Sequence, residues 1–400
     1  MLRIAGLFAG IGGIEAGFRR ALGTGVETAL LCEWWAPAQT VLADRFPDVE
    51  LHPDVRELGD LPAGLDVVAA GFPCTDLSQA GRTAGITGAQ SGLVGHVFDV
   101  LRVLKRRRRR LPTLLIENVP NMLALDRGHA MAYLVGELES LGYRWAYRVV
   151  DSRFTGVPQR RRRVLLVASV SVDPRGVLFA DEAGEPAPGR YGDDAYGFYW
   201  TEGHRGLGWA QDATPTLKGG STIGIPSPPA VWLPSAVPGR KVVVPGVEDA
   251  EELQGFPRGW TSAAADGRRD GARWKLVGNA VTVGVAEWVA GRILRPGEPL
   301  TSGQRYDGAA WPTAAWGARG RRYAVQLSEY PQLAPYRPLR SVVSPEGAVP
   351  LSHRAVAGFA NRLERGNLGR HPGFRADIAE HIAFTRMDSV TGVPDEVATA

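Results

Sequence analysis

Over the first 170 residues, short apolar runs alternate with helical patterns, and this alternation limits the possible folds more than any other feature of the chain. Arg3–Phe8, Glu27–Cys32, Leu65–Ala70, Thr113–Ile116 and Val164–Ala168 are β-rich and apolar on both faces, as strands inside a sheet must be. Between them, Ile14–Leu22, Ala36–Arg45, Leu93–Arg109 and Ala130–Leu141 carry helical spacing. The pattern predicts an α/β fold with a doubly wound, mostly parallel sheet. Tyr143–Asp151 is expected to pair with Val164–Ala168 at one edge of it.

After residue 170 the texture changes. Proline, glycine and aromatic residues thicken, as in Tyr191–Trp200, and no helical period holds until Asp249. A smaller, irregular or β-rich unit is expected there. Val277–Ile293 then reads as one helix, Gly297–Gly308 as a linker, and Phe359–Arg365 and Phe374–Ala383 as helical stretches of a tail. The expected division is 1–170 for the first domain, 171–257 for the second, 258–296 for the return to the first, and 297–400 for a separable C-terminal extension.

A chain of 400 residues exceeds what one small core organises. No run of about 18 apolar residues occurs, so no membrane span is expected. Cys32 and Cys74 cannot build a disulfide framework or a four-thiolate zinc site, which suits a cytosolic chain. His353, His371 and His381 lack a cysteine partner or short ligand spacing, so no metal is expected. Without the six cations of Lys105–Arg110, the net charge of +4 would turn negative. A polyanion contact and a solvated helix end both fit so local a basic run.

Candidate chemistry gathers at the strand ends. The first strand runs into Phe8-Ala9-Gly10-Ile11-Gly12-Gly13 and then a helix, a turn that lets a ligand approach backbone at a helix N-terminus. A nicotinamide fingerprint would need glycine where Glu15 stands, which weakens an oxidoreductase reading. Glu33 ends the second strand, where an acid can accept from both hydroxyls of a ribose. Asp54 follows the next apolar stretch, placed for an adenine edge. Together these suit a nucleoside cofactor without a pyrophosphate. Pro73-Cys74 and a small polar loop follow the fourth strand, so a nucleophilic thiol is expected at the mouth of the sheet. Glu117 ends the fifth strand near it. Of Gln159–Arg163, the alternating Gln159, Arg161 and Arg163 would face one side, towards the same pocket.

In this order, Phe8–Gly13, Glu33, Pro73-Cys74, Glu117-Asn118-Val119, Gln159–Arg163, Leu253–Pro257 and Val277–Val281 resemble the DNA cytosine-5 methyltransferase family over residues 3 to about 294. The resemblance implies a Rossmann-like methyltransferase. S-adenosylmethionine would be held by Phe8, Gly10, Gly12, Gly13, Glu33, Trp34, Asp54, Val55, Asn279 and Ala280. It implies Cys74 as nucleophile towards C6 of a flipped cytosine, Glu117 on N3 and the exocyclic amine, Arg163 on O2, and Arg161 supporting the loop or Cys74. Residues 171–250, with Thr216-Leu217 and Gly219-Gly220 near their end, would recognise the target. At that length the region is short, so readout from elsewhere is expected to supplement it. The acidic Val247–Glu252 departs from the family pattern and argues against phosphate contact there. Double-stranded DNA is the implied partner, with a cognate restriction enzyme as an optional second, for a cytoplasmic monomer. A tRNA cytosine as substrate and a catalytically silent DNA-binding relative are the alternatives. The recognition insert favours DNA, and Cys74, Glu117 and Arg163 favour an active enzyme.

Overall fold

Runs apolar on both faces do become interior strands. The structure is a computed structural model that describes residues 1–72, 92–202, 206–219, 228–265, 267, 271–344 and 347–390, the side chains of 387–390 excepted. Two compact units make up the chain: residues 1–154, 162–185 and 281–333 form the first, and 155–161, 186–280 and 334–400 the second.

The first unit starts with β1 (Leu2–Leu7), α1 (Gly13–Leu22), β2 (Val26–Cys32), α2 (Ala36–Arg45), β3 (Leu51–His52) and β4 (Val67–Ala70). Then come α3 (Leu93–Arg106), β5 (Thr113–Asn118), α4 (His129–Leu141) and β6 (Arg144–Asp151). The short β7 (Gln159–Arg160) belongs to the second unit, and β8 (Arg162–Ser169) and α5 (Pro174–Leu178) return to the first. In the second unit follow β9 (Tyr196–Phe198), β10 (Ala210–Gln211), β11 (Thr214–Pro215), β12 (Ala230–Trp232), β13 (Val242–Val244), α6 (Val247–Leu253) and α7 (Gly271–Asn279). The first unit takes back α8 (Val283–Leu294), β14 (Gln304–Arg305), β15 (Ala314–Ala318) and β16 (Arg321–Ala324). The second closes with β17 (Val349–Pro350), α9 (His353–Arg365) and α10 (Phe374–Val390).

The first unit is a doubly wound α/β sheet of ten strands in the order β14-β16-β15-β6-β8-β5-β4-β1-β2-β3. From β3 to β5 neighbours run parallel, and from β5 to β14 antiparallel, so the sheet is mixed. Alternation sorts its side chains into two cores. Ala5, Leu7, Val68, Leu114 and Ile116 pack with α3 and α4, whereas Ile4, Val67, Ala69 and Leu115 pack with α1, α5 and α8.

Four expectations need correction. The pair β6–β8 is not at an edge, because β15 adds to β6 in antiparallel register, Ala314 to Arg148 through Gly317 to Trp145. The tail is not one extension either. Residues 297–333 complete the first unit, while 334–400 join the second, where β17 extends a sheet in the order β10-β9-β12-β13-β17. Phe359, Leu363, Phe374 and Ile378 share a core there with Tyr196, Phe198 and Trp232, so aromatics of the presumed recognition region and tail helices fold together. The domain limits at 170, 257 and 296 likewise differ from the unit limits, because 155–161 and 258–280 belong to the second unit and 171–185 to the first. Lastly, Val277–Ile293 is two helices. The carbonyls of Val277, Gly278 and Ala280 accept from the side chains of Gln254 and Arg161, which ends α7 before Thr282 opens α8.

Packing explains why the tail belongs to the sheet. Trp311 lies 5.9 Å from the Trp145 ring and 6.3 Å from that of Tyr147, and its indole N–H donates to Gly128 O at 3.0 Å. The fully buried Arg148 donates to Ser328 O from both Nε (3.0 Å) and Nη2 (2.7 Å) and pairs with Glu182 at 2.6 Å. Losing such a partner leaves a buried cation without compensation. A chain ending at Pro299 is therefore expected to be insoluble, and Trp311→Ala to cost about 3–5 kcal/mol in urea unfolding. A soluble, folded 1–299 fragment would contradict this account of the tail.

The basic run has a definite place. Because α3 crosses back from β4 to β5, its last turn lies at the start of β5, the opposite end from Glu117. Arg107 and Arg109 pair with Asp60, and Arg110 pairs with Asp66, which directly precedes β4. The six residues of β5 separate this run from the other end by about 20 Å. Replacing Arg106–Arg109 with Gln is thus expected to leave the slope of log affinity against log salt unchanged for duplex DNA. A slope smaller by about 0.9 per lost contact would mean that phosphates do sit on this end.

Candidate active site

Strand register builds the rim of the site. Leu7 stands opposite both Cys32 and Ala70, and Ala70 opposite Ile116, so the next residues, Phe8, Glu33, Gly71 and Glu117, leave the parallel strands in one row. His52 pairs with Cys32, which brings Asp54 to the same edge. Cys32 itself is buried, and burial pushes its thiol up to about 12, so it stays protonated and structural.

At the row's centre the chain turns into α1. Phe8 has φ 58°, in the left-handed region that costs a non-glycine residue about 1–2 kcal/mol. Its ring meets Phe72 edge-on at 6.3 Å. Gly10 (φ 58°) and Gly12 (φ 79°) share that conformation, and a Cβ on Gly10 would meet nothing within 4 Å among the described residues. No described residue closes the loop above Gly10, which suits a ligand cradle. Gly13 starts α1 behind Gly12, which has no side chain to cap the helix, so first-turn amides can serve a polar ligand.

Glu33 braces this loop. Its Oε2 accepts from Gly10 N at 2.8 Å and its Oε1 from Trp35 N at 2.9 Å. Burial raises its pKa against the pull of those bonds. A carboxylate offers four lone pairs, more than its backbone donors Gly10, Trp34 and Trp35 take up, so the acid can still accept from a ribose hydroxyl. Trp34 beside it is 73% exposed, an uncommon state for indole and a free ring face at the rim. Asp54 is engaged differently. Arg56 binds it through backbone N (2.9 Å) and Nε, which holds the carboxyl below its ordinary range, and Val55 is buried beneath.

On the other side of the row, Glu117 is 8% exposed and its Oε1 lies 2.9 Å from Arg163 Nε. Glu117 faces Leu165 across the β5–β8 pair, and Asn118 faces Val164, which puts Arg163 one residue beyond the ladder, over the carboxylate. Asn118, which sequence reasoning left without a role, donates to Phe72 O at 2.9 Å and accepts from Val119 N at 2.9 Å. It therefore ties the exit of β4 to the exit of β5 immediately before Pro73. Cys74 and the loop after it lie outside the described residues.

The remaining expected residues belong to the second unit. Arg161 is buried and donates to Leu217 O (3.1 Å), Gly278 O (3.2 Å) and Ala280 O (2.8 Å). Gln159, also buried, donates to Leu253 O and accepts from Leu217 N at 3.0 Å. Gln159, Arg161 and Arg163 thus differ in the partners the described residues give them. Arg163 meets Glu117, whereas the other two hold backbone. Asn279 is exposed and Ala280 buried, both at the end of α7. The acidic stretch is spent locally: Glu251 accepts from Gly259 N and Thr261 N, and Asp249 caps Gly246 and pairs with Arg258.

Comparison with known proteins agrees with this architecture. The family described as C-5 cytosine-specific DNA methylase matches residues 2–174. Type II methyltransferase M2.BsuMI of Bacillus subtilis (strain 168) is 43% identical over 376 residues, 91% of this chain and 94% of that one. M.BsuFI of Bacillus subtilis is 34% identical over 163 residues, 40% of this chain and 37% of its own length. Among solved structures, the S. pombe Dnmt2 methyltransferase superposes with a TM-score of 0.55 at 14% identity, covering 74% of this chain and 98% of that one, a likeness of fold. No helix among the described residues is long and apolar enough to cross a membrane.

Beneath the rim lies a second feature that sequence reasoning missed. Glu15, in the first turn of α1, is buried, and its carboxyl fills the space over Gly6, where a Cβ would overlap it. Its only sequence signal was an acid in place of a fingerprint glycine. Burial pushes it up to about 7, and Oε2 has no hydrogen-bond partner among the described residues. A carboxyl raised in the fold contributes stability fully below its unfolded value near 4.5 and loses it as pH rises through about 7. Against Glu15→Gln, the wild type is therefore expected to lose about 3 kcal/mol between pH 4.5 and 8 in urea unfolding. A stability difference that stays constant over that range would contradict the assignment.

Proposed function

The chain belongs to the C-5 cytosine-specific DNA methylase family, and from that premise we propose that it methylates C5 of cytosine in double-stranded DNA at a specific sequence. The observation that carries the reading is the Glu117–Arg163 pair, which shares one sheet edge with the Phe8–Gly13 loop and Glu33. The open glycine loop and the hydroxyl-accepting Glu33 fit S-adenosylmethionine, which supplies an electrophilic methyl on a sulfonium when bound. Phe8, Gly10, Gly12, Gly13, Glu33, Trp34, Asp54 and Val55 would hold it, and the resemblance assigns Asn279 and Ala280 to the same molecule.

C5 of cytosine is a poor nucleophile until C6 is attacked. The Cys74 thiolate would add to C6, and the electron pair of the C5–C6 bond would move onto C5. Glu117 would share a proton with N3, where charge builds up during addition, and accept from the exocyclic amine, and Arg163 would hold O2 while fixing the Glu117 carboxyl group. C5 takes the methyl group, a base removes the C5 proton, and the returning electron pair restores the double bond as Cys74 leaves. The ring must be out of the stack for both faces to be reached. Arg161 would act in this reading as a support, holding the backbone of Leu217, Gly278 and Ala280 in place.

The second unit, including the tail residues 334–400, would recognise the sequence. The enzyme would act as a cytoplasmic monomer, and likeness to a Type II methyltransferase along nearly its whole length supports a cognate restriction enzyme beside it. Bisulfite sequencing of DNA from cells expressing the protein is expected to show one protected sequence, absent with Cys74→Ala at equal expression. Glu117→Gln is expected to lower kcat by roughly 10²–10⁴. Comparable methylation by Cys74→Ala would refute the covalent route, and methylated tRNA cytosine with unmodified DNA would refute the substrate.

A further inference from the structure

We infer that Gly219 is a positioning residue, whose missing side chain leaves the Asn279 amide in the orientation that cofactor binding uses. The inference rests on the assignment of Asn279 to S-adenosylmethionine and adds the element that sets its geometry.

It stands on a crossing of two segments inside the second unit. The first enters as β11, parallel to β7, with Thr214 opposite Gln159 and Pro215 opposite Arg160. Leu217 is then held at both backbone groups, its N–H by Gln159 Oε1 and its carbonyl by Arg161 Nη1. The second segment, 277–280, is held by its carbonyls: Val277 O by Gln254 Nε2 at 2.9 Å, and Gly278 O and Ala280 O by Arg161. One buried guanidinium thus spans both segments, and neither can shift without orphaning a buried donor.

Where they cross, Lys218-Gly219 lies against Gly278-Asn279, and neither glycine has room for a Cβ. The two glycines guard different things. A methyl on Gly278 would overlap the Lys218 carbonyl carbon and stand 2.5 Å from Gly219 N, a clash of backbone with backbone. A methyl on Gly219 would overlap Asn279 Oδ1 and stand 3.0 Å from its Cγ. The nearest backbone atom, Lys275 O, is 3.2 Å away. Asn279 is exposed, so its amide can swing aside and the fold survives. Gly219→Ala therefore acts on one amide orientation, at the end of the segment that carries the Thr216-Leu217 motif.

The test is a double-mutant cycle on the full chain, with S-adenosylmethionine affinity read by calorimetry and Tm read alongside. Asn279→Ala and Gly219→Ala are each expected to weaken binding about threefold to tenfold, the size of one lost hydrogen bond. The double variant should bind no more weakly than Asn279→Ala alone, and Tm should hold throughout. An unaffected Gly219→Ala, or losses that multiply in the double variant, would overturn the role of Gly219. An unaffected Asn279→Ala would overturn the cofactor assignment of Asn279, and this role with it. Should Gly219→Ala fail to fold, recovery of the fold in the double variant supports the proposal, since the obstructing amide is then gone; continued unfolding puts the obstacle at Lys275 and overturns it.

Discussion

Hydrogen-bond register across β2, β1, β4 and β5 sets Cys32, Leu7, Ala70 and Ile116 opposite one another, and the rim depends on it because the parallel pairing stops there and the next residue of each chain segment lies just past it. Side chains alternate along a strand, so a one-residue slip would turn every core residue of that strand to the other face. Ile116 stays in the core and Glu117 reaches the edge for this reason alone. The same register brings Glu33 within reach of Gly10 N, so the acid that would meet a ribose also holds the loop beside it. A carboxylate fixed by two backbone amides needs no reorganisation when a ligand arrives, which is how a preorganised site limits the cost of binding.

Two buried arginines hold together parts of the chain that are distant in sequence. Arg148 binds Ser328 O and Glu182 in the first unit, and Arg161 binds three carbonyls in the second. Burying a cation is costly unless its donors are satisfied, and here backbone carbonyls do most of that work. Each therefore makes its surroundings all-or-none: the tail strands must be present for Arg148, and the 214–219 and 277–280 segments for Arg161. A run such as Gln159–Arg163 consequently divides its labour, with Arg163 at the carboxylate and Arg161 at the backbone.

Most of the first unit could be read from the sequence, because strands apolar on both faces and amphipathic helices announce themselves locally. The rim residues were legible for the same reason: Glu33 and Glu117 are acids that end apolar runs. The tail was not, because β15 (Ala-Ala-Trp-Gly-Ala) has no alternation, and what makes it a strand is the exposed edge of β6. The break between α7 and α8 was hidden too, since Val277–Ile293 keeps helical spacing and only the distant Gln254 and Arg161 end the first helix. The roles of Glu15 and Asn118 were hidden, since an acid in place of a fingerprint glycine and an amide within a motif do not say what lies across from them. The acids of Val247–Glu252 looked like a departure in charge and prove to be internal caps and ion pairs.

Methyl transfer to cytosine C5 through a Cys74–C6 bond is the central step we propose. Intact-mass and peptide-mass measurement of the protein incubated with S-adenosylmethionine and a duplex carrying 5-fluorocytosine at the target tests this directly. Fluorine cannot leave C5 as a proton does, so a one-to-one protein–DNA adduct carrying the added methyl and mapping to the Cys74 peptide is the expected product. Turnover of the normal duplex with no adduct on the fluorinated one, or an adduct on any other peptide, would contradict the account.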